Sequence, residues 1–247
     1  GAIQKGPFVQ GSSVTVSALD AAGRPTGEVF NTTTTNDRGE FAIDLPAAPL
    51  VDIETTGFYF NEATGLSQAP ITLRAVAAPN EGVPTFVNVL THVSAPRARA
   101  AMTSGVPSAD ALAEAEATAR AAFGYFQPPG LSSASSMNIL GGDDNDAAYL
   151  LALSCSLAEM GRWLGMGTAP DAPLQETINK IAASLESGSS LSADLAGKLA
   201  EGRRLLRADA CARAISGRLA DLGDTATPVP NVLRALDFDG DGLADAD

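Results

Sequence analysis

Short runs of alternating apolar and polar residues fill the N-terminal third of the chain. In the stretch SSVTVSALD, Val14, Val16 and Ala18 share one face, which is the two-residue period of a β-strand. Similar runs are FNTTTT, EFAIDL, VDIETT, GFYFNEATG, APITLRAVA and PTFVNVLTH. Because turn-forming residues separate these runs at intervals of about 8–12 residues, the pattern predicts an antiparallel β-sandwich. One such turn is NDRG, in which Gly39 is expected to adopt a positive φ.

The hydrophobic period changes to that of a helix near Ser94. The stretch APRARAAMTSG predicts a short helix, and Ser108 is expected to cap a second one. The stretch DDNDAAYLLALSCSLAEMGRWLG is apolar on nearly all sides, so a central buried helix is predicted there. Three further helices are predicted at about Leu174–Ser187, Ser190–Leu206 and Asp209–Leu222.

The order of these elements predicts an α+β chain with several domains. An antiparallel β-sandwich is expected over residues 1–93, and an all-α helical bundle over residues 94–224. Residues 225–247 form a proline-bearing linker that leads into an acidic tail.

Composition narrows the classes of partner that the chain can have. The 247 residues carry a formal net charge of −13, and the pI is about 4.4. This balance argues against binding to nucleic acid, whose affinity comes largely from Lys and Arg on phosphates, and against docking on anionic lipid. The apolar runs fall short of the ~20 residues that span a bilayer, so no transmembrane segment is expected. A soluble exported protein that takes up cations fits these features.

The first strands resemble the carboxypeptidase regulatory-like, or transthyretin/prealbumin-like, superfamily. The stretches that carry the resemblance are GSSVTVSALDAAGRPTGEVF and TTTNDRGEFAIDL. Members of this kind show a D-x-x-G-x-x-x-G turn and a T-x-x-x-G-x-F hairpin, which match Asp20, Gly23, Gly27, Thr35, Gly39 and Phe41. The resemblance implies a two-sheet sandwich with Phe41 in its core, and it implies no activity.

The whole arrangement also resembles a group of bacterial cell-surface lipoproteins. The matching stretches are KGPFVQGSSVTV, GFYFNEATG, FVNVLTH and DNDAAYLLALS. In such proteins a lipid-bearing cysteine stands just before the mature chain. The resemblance therefore implies a lipid anchor before Gly1 and a location at the outer membrane or cell surface.

The acidic tail has the spacing of a calcium loop. In LDFDGDGLADAD the pattern D-x-D-G-D-G-x-x-D resembles a thrombospondin type 3 or dockerin-type motif, and Gly242 stands where an EF-hand loop turns sharply. Ca²⁺ takes six to eight oxygen ligands, and the twelfth loop position would fall one residue past Asp247. The other interpretation is a disordered acidic end, cut from a longer protein. The predicted ligands are Asp237, Asp239, Asp241, the carbonyl of Leu243, Asp245 and Asp247.

Cys155 and Cys211 are the two cysteines of the chain. They could be two inert buried thiols, or a disulfide that joins the central helix to the last one. In an exported protein the disulfide is favoured. A redox catalytic role is not expected because the chain has no C-x-x-C motif.

Two polar features could be catalytic, and each has a structural interpretation that we favour. His92 could act as a base, but a G-x-S-x-G elbow is missing, so a hydrogen-bonded hinge residue between domains is expected. Asp143, Asp144 and Asp146 could form a carboxylate cluster for acid–base or metal chemistry. At the start of a buried helix they are expected to cap it and to interact with its dipole.

Two aromatic stretches and one lysine raise further possibilities. Gly57–Phe60 and Phe123–Phe126 could form a platform for stacking sugars, although packing in the core and between domains is favoured. Lys5 and Asn88 could form an isopeptide bond beside Glu54, as first and last strands do in sandwich adhesins.

The sequence thus favours a non-catalytic, exported cell-surface lipoprotein module for adhesion, assembly or display, and we do not expect an enzyme. Its partners would be other surface proteins, cell-wall glycans or further copies of itself. One alternative is a carbohydrate- or peptide-binding module with its ligand between the domains. Another is a filament subunit, in which Gly1–Gln10 would pair with the sheet edge of a neighbour.

Overall fold

The computed structural model describes residues 1–45 and 48–236 of the chain. Strands occupy its first part and helices the rest, so the prediction of a chain that mixes α and β structure is confirmed. The strands are β1 Ala2–Gln4, β2 Ser13–Leu19, β3 Pro25–Thr33, β4 Leu50–Gly57, β5 Phe60–Asn61, β6 Gly65–Leu66, β7 Ile71–Ala77 and β8 Phe86–Asn88. The helices are α1 Val89–Thr103, α2 Ser108–Phe123, α3 Asn145–Leu164, α4 Asp171–Ser187, α5 Ala193–Leu205 and α6 Ala208–Asp221.

The largest sheet has four antiparallel strands in the order β3-β2-β4-β7. Its register pairs Val16 with Ile53 and Ile53 with Ala75, so one face of the sheet is apolar and buried. This is the alternation predicted from the sequence of β2, and it is typical of a sheet with one buried face. Two small sheets complete the strand region: β1 pairs with β8 in parallel, and β5 pairs with β6 in a hairpin.

The buried face of the sheet and the helices share one hydrophobic cluster. Val16 and Ile53 belong to it, together with Leu153 at the centre of α3 and Ile178 of α4. A smaller cluster packs Leu19 of β2 against residues of α1 and α2. As predicted, α3 is the central helix, since fourteen of its twenty residues are buried. The helices α4, α5 and α6 also lie where the sequence places them.

The two edges of the four-stranded sheet differ. At the β7 edge, the Gln175 side chain of α4 accepts a hydrogen bond from Thr72 N at 2.6 Å and donates one to Thr72 O at 3.1 Å. The Gln175 side-chain amide thus pairs with the backbone N–H and C=O of Thr72, as the backbone of a neighbouring strand would. The other edge, β3, is exposed over most of its length.

Residues 41–45 form no strand, so the strand predicted for EFAIDL is wrong. Its alternation reflects burial instead: Phe41 is 7% exposed, and Ile43 and Leu45 pack against the main cluster. The segment is held at its start by a pair of hydrogen bonds between Phe41 and Gly1. The NDRG turn before it is present, with Gly39 at φ +73°. A Cβ on Gly39 would lie 2.5 Å from Ile3 O, so this position requires glycine.

Helix α1 begins at Val89, five residues before the predicted change of period at Ser94. The cause is a capping box: Asn88 Oδ1 accepts from Thr91 N, and Thr91 Oγ1 accepts from Asn88 N. In the next helix, Ser108 is the first helical residue and not the cap, which is Pro107 and provides no side-chain hydrogen bond.

Candidate functional site

A buried ion pair joins the N-terminal segment to the β5–β6 hairpin. Lys5 Nζ lies 2.8 Å from Glu62 Oε2, and both side chains are 0% exposed. Glu62 Oε1 accepts a second hydrogen bond from the hydroxyl of Ser154 in α3. Lys5 also lies over the ring of Tyr59, with 5.2 Å between Nζ and the ring centroid. Each charge therefore has a partner, which a buried ion pair requires to be tolerated.

A second buried contact joins the same hairpin to α4. The hydroxyl of Tyr59 donates to Asp171 Oδ1 at 2.7 Å, and Asn61 Nδ2 donates to the Tyr59 hydroxyl at 3.2 Å. Asp171 Oδ2 accepts from the backbone N–H groups of Gln68 and Ala69 at 2.7 and 2.9 Å. Burial raises the pKa of Tyr59 far above its usual range, and the hydrogen bond to Asp171 raises it further, so Tyr59 stays a phenol donor.

Together these side chains form what we call the junction network: Lys5, Tyr59, Asn61, Glu62, Ser154 and Asp171. It connects the first strand region, the hairpin, α3 and α4 through bonds that water does not reach. The sequence did not indicate Glu62, Ser154 or Asp171. A lysine inside the apolar stretch around Ile3 and Phe8 is a signal that a buried counter-charge exists, but it does not say which carboxylate provides it.

Two partly buried arginines add contacts between the strand region and the segment around α6. Arg38 Nη2 lies 2.5 Å from Asp224 Oδ2, and Arg218 Nη2 donates to Asp37 O at 2.7 Å. The hydrogen bond from Arg38 holds the pKa of Asp224 well below its usual range. Both contacts involve the turn at residues 36–39, so they fix that turn against the C-terminal helices.

The disulfide between Cys155 and Cys211 is present, which confirms the favoured pairing. It connects the middle of α3 to the first turn of α6 across 56 positions of sequence. Both cysteines are 3% exposed and belong to the main hydrophobic cluster. The buried side of α6 also carries Ile215 and Leu219, which lie in the same cluster as Cys211.

His92 lies in the first turns of α1 and is 5% exposed. Its Nε2 is 3.1 Å from Asn179 Oδ1 of α4, so it is hydrogen-bonded between two helices. Burial lowers the pKa of His92 to about 4, and the nearby charge of Arg74 contributes to the lowering. The neutral ring is therefore the form present at neutral pH.

The three aspartates before α3 have separate roles. Asp144 is the N-cap, and its Oδ1 accepts from Ala147 N at 2.7 Å. Asp146 Oδ1 accepts from Ser132 N at 2.8 Å. Asp143 forms a bidentate ion pair with Arg234. The capping interpretation is thus confirmed for Asp144, and the other two carboxylates hold neighbouring loops in place.

Three of the six aromatic side chains in Gly57–Phe60 and Phe123–Phe126 are buried in the protein. Tyr59 is 0%, Phe123 1% and Tyr125 6% exposed. Phe58 differs, since it is 43% exposed. Packing therefore accounts for the buried rings.

The structure gives Lys5, Asn88 and Glu54 different partners from those of an isopeptide site. The Asn88 side chain caps α1 and donates to Ala134 O at 2.7 Å. Glu54 stands on the polar face of β4 and pairs with Arg74. The carboxylate beside Lys5 is Glu62.

The predicted calcium ligands lie outside the described residues. They are Asp237, Asp239, Asp241, Leu243, Asp245 and Asp247. Across the positions that the structure does describe, no group of three or more His, Cys, Asp or Glu side chains is arranged to hold a metal ion.

A cavity of about 410 Å³ lies beside β1, between the strand region and the loop that precedes α3. Gln4 is part of its wall and is 1% exposed. Its Nε2 donates to Arg38 O at 3.3 Å, whereas its Oε1 has no hydrogen-bond partner in the described part of the chain. We call this the Gln4 cavity, and its main side chains are Gln4, Arg38, Glu40, Phe41, Phe86 and Asn138.

A second cavity of about 910 Å³ adjoins the first and lies over the buried face of the sheet. Val16, Val51 and Ile53 are part of its wall, and Asp44 and Glu81 add carboxylates. Its walls are therefore more apolar than those of the Gln4 cavity, and amide side chains are few.

Comparison with protein-family models, with curated proteins and with solved structures found no match to this chain. In residues 1–45 and 48–236, no helix combines the length and the apolar character needed to cross a membrane.

Proposed function

We propose that the chain is a non-catalytic exported module of a bacterial cell-surface lipoprotein, and that it serves in adhesion, assembly or display. Its partners are other surface proteins, cell-wall glycans or further copies of itself. In this proposal the strand region is a prealbumin-like sandwich, and the tail Asp237–Asp247 binds Ca²⁺ as part of a connector. The lipid anchor stands before Gly1.

The junction network is the observation that carries this proposal. Glu62 of the hairpin bonds to both Lys5 of the N-terminal segment and Ser154 of α3, and all three side chains are buried. Such a closed set of bonds fixes the strand region against the helices. A module that displays or spaces other domains needs this rigidity.

The disulfide supports export. Structural disulfides form and persist in oxidising compartments, and they are rare where glutathione keeps thiols reduced. Cys155 and Cys211 are bonded within the hydrophobic cluster, away from any exposed redox chemistry.

Protease treatment of intact source cells tests the location and the role together. The proposal predicts that the protein is removed from the cell surface by added protease and that the purified chain turns over no sugar, peptide or ester substrate. The proposal would be contradicted if the protein in intact cells were fully protected from the added protease. Saturable turnover of a substrate by the purified chain would also contradict it.

Calcium titration by calorimetry tests the connector. We expect saturable heat from CaCl₂ that disappears in Asp237→Asn/Asp239→Asn. The matched control is Asp209→Asn/Asp221→Asn, in which two aspartates of α6 change in the same way and binding is expected to persist. Equal heats in both variants would exclude the tail as the calcium site.

Binding of a small ligand is a second candidate function. It is favoured by the Gln4 cavity, because this cavity lies between the strand region and the loop before α3 and combines polar and apolar side chains in its wall.

A further inference from the structure

The end of α3 and the turn that follows it expose two large apolar side chains. Trp163 is the single tryptophan of the chain and is 47% exposed, and Met166 is 88% exposed. Leu164, which lies between them in the sequence, is partly buried. We call residues 162–169 the Trp163 turn. Apolar patches on a protein surface mark contacts with other proteins or with membranes, so the exposure of these side chains points to a contact.

Backbone hydrogen bonds hold the Trp163 turn in one conformation. Gly167 N donates to Arg162 O at 2.8 Å, and Met166 N donates to Trp163 O at 3.1 Å. The second bond keeps Met166 beside Trp163. The turn is therefore closed by its own backbone, and it presents the two apolar side chains together.

The backbone of Met166 is strained. Its φ is +50°, and it is the one residue other than glycine with a positive φ in residues 1–45 and 48–236. In this region the Cβ crowds the backbone, so bulky residues rarely adopt it. The next residue, Gly167, also has a positive φ, but it is a glycine and adopts this conformation without strain. Met166 is thus both strained and exposed, and strain of this kind is concentrated at functional sites.

The Trp163 turn carries no net uncompensated charge, although the protein is strongly acidic. Arg162 pairs with Glu159, with 2.6 Å between Nη2 and Oε2. Residues 163–170 contain no charged side chain, whereas the whole chain has a net charge of −13. An uncharged surface can therefore approach this turn without repulsion, and an anionic surface would be repelled by the rest of the protein.

The patch is small for a contact between two proteins. An aromatic side chain buries roughly 150–250 Å² when it is covered completely, so one tryptophan and one methionine fall short of the ~800 Å² that each partner contributes to a stable interface. Insertion into the surface of a bilayer needs no complementary partner surface. Tryptophan is also enriched at the depth of the lipid headgroups, where its ring lies between apolar chains and water.

We propose that the Trp163 turn inserts Trp163 and Met166 into the surface of a zwitterionic lipid bilayer. This inference rests on the proposed function, because the lipid anchor proposed before Gly1 brings the chain to a membrane. A single attached acyl chain binds a protein only marginally, and stable attachment takes a second contact. The Trp163 turn is that second contact, and it sets the orientation of the chain on the membrane.

The fluorescence of Trp163 tests insertion directly, since no other tryptophan contributes to it. A cysteine added before Gly1 and coupled to a maleimide lipid holds the full chain on phosphatidylcholine vesicles. It is the only free thiol, because Cys155 and Cys211 are bonded to each other. We expect the emission to shift to shorter wavelength than in the same chain coupled to a soluble maleimide, and brominated phosphatidylcholine to quench it. On vesicles rich in phosphatidylglycerol both effects should be weaker.

Two variants at Met166 retain the fluorescent probe. Met166→Ser is expected to lower the ratio of inserted to free turn about tenfold, because an apolar side chain no longer leaves water. The matched control is Val106→Ser in the loop between α1 and α2, where a valine that is 38% exposed changes in the same way and insertion should persist. Met166→Gly should also lose insertion, without a lower melting temperature, because glycine adopts this φ without strain. Its loss of insertion could not then be attributed to misfolding.

The outcomes separate this contact from the proposed location. Quenching by bromolipid that falls in Met166→Ser and in Met166→Gly, but not in Val106→Ser, would support the proposal. Unchanged emission on the vesicles, or equal losses in Met166→Ser and Val106→Ser, would overturn the membrane contact and leave the surface location standing. A shift of the emission that appears without lipid and grows with protein concentration would assign the turn to contacts between copies and would also overturn it.

Discussion

Lys5 Nζ lies 2.8 Å from Glu62 Oε2, and neither side chain is exposed to solvent. The two residues are 57 positions apart in the sequence. Glu62 also accepts from Ser154 at the centre of α3, so a single carboxylate connects three separate parts of the chain. Because a buried charge without a partner is strongly unfavourable, these parts stabilise one another.

Removal of one partner of this ion pair is expected to destabilise the protein severely. Lys5→Met should lower the free energy of unfolding by about 3–5 kcal/mol, since Glu62 would remain buried without its counter-charge. Lys5→Met/Glu62→Met should recover much of the loss, because neither charge remains. Urea denaturation followed by circular dichroism measures both. The control is Lys180→Met on the exposed pair with Glu176, where we expect a small effect. Equal effects of Lys5→Met and Lys180→Met would mean that the buried pair does not have this role.

The hydroxyl of Tyr59 is expected to contribute more to the stability of the fold than that of Tyr149. Tyr59→Phe removes the donor to Asp171 Oδ1 and should destabilise by roughly 1–3 kcal/mol. Tyr149 is also fully buried, but its hydroxyl has no hydrogen-bond partner among residues 1–45 and 48–236. Tyr149→Phe should therefore be neutral or stabilising. Thermal melts of the two variants give the comparison, and a larger loss for Tyr149→Phe would contradict the assigned bonds.

His92 is expected to make stability depend on pH. Burial lowers the pKa of His92 in the folded state to about 4, whereas the ordinary pKa of histidine is 6.5, so the unfolded chain binds the proton more tightly. The contribution of His92 to stability is therefore full above pH 6.5 and falls as the pH drops towards 4, by about 3 kcal/mol at the lower limit. Arg74 is the charged group whose effect on His92 adds to that of burial.

Urea midpoints between pH 4 and 7.5, for the parent and for His92→Gln, isolate this contribution. Carboxylates titrate in both proteins, so their contribution cancels in the difference between the two curves. This difference should therefore change across the window because of His92 alone. His92 is the one histidine of the chain, so its NMR titration is assigned without ambiguity. Curves that stay parallel, or a titration of the folded protein near pH 6.5, would show that the ring is not buried in a neutral form.

Loss of the disulfide is expected to lower stability by about 4 kcal/mol, the value that the chain-entropy model gives for a loop of this length. The loop is set by the separation of 56 positions between Cys155 and Cys211. Cys155→Ala/Cys211→Ala and the reduced parent should unfold at similar urea concentrations. Thiol titration of the denatured, unreduced protein should find no thiol, and two thiols would contradict the bond.

Local patterns in the sequence predicted much of the fold. The alternation of Val14, Val16 and Ala18 gave β2 its buried face, and the apolar run of α3 indicated the central helix. The strand predicted for EFAIDL was wrong because a loop can bury alternate side chains as well as a strand can. The start of α1 was missed because the capping box of Asn88 and Thr91 is a local signal that overrides the β-prone residues around it.

Long-range polar contacts were less accessible from the sequence. Two cysteines allow one intramolecular pairing, so Cys155–Cys211 could be predicted. Lys5 was identified as a special residue, but the carboxylate beside it is Glu62 and not Glu54. Every acidic side chain is an equal candidate until the packing of the hairpin on α3 is known. The unpartnered Oε1 of Gln4 is likewise a property of the packed fold.

Native-state hydrogen exchange tests the central claim most directly, which is that the strand region and the helices form one rigid unit through the junction network. The account predicts that the amides of Val16 and Ile53 in the sheet and of Leu153 in α3 exchange with the same free energy of opening, equal to that of global unfolding. It also predicts that Lys5→Met lowers all three values together. Sheet amides that open at a much lower free energy than Leu153, with Leu153 unaffected by Lys5→Met, would contradict it.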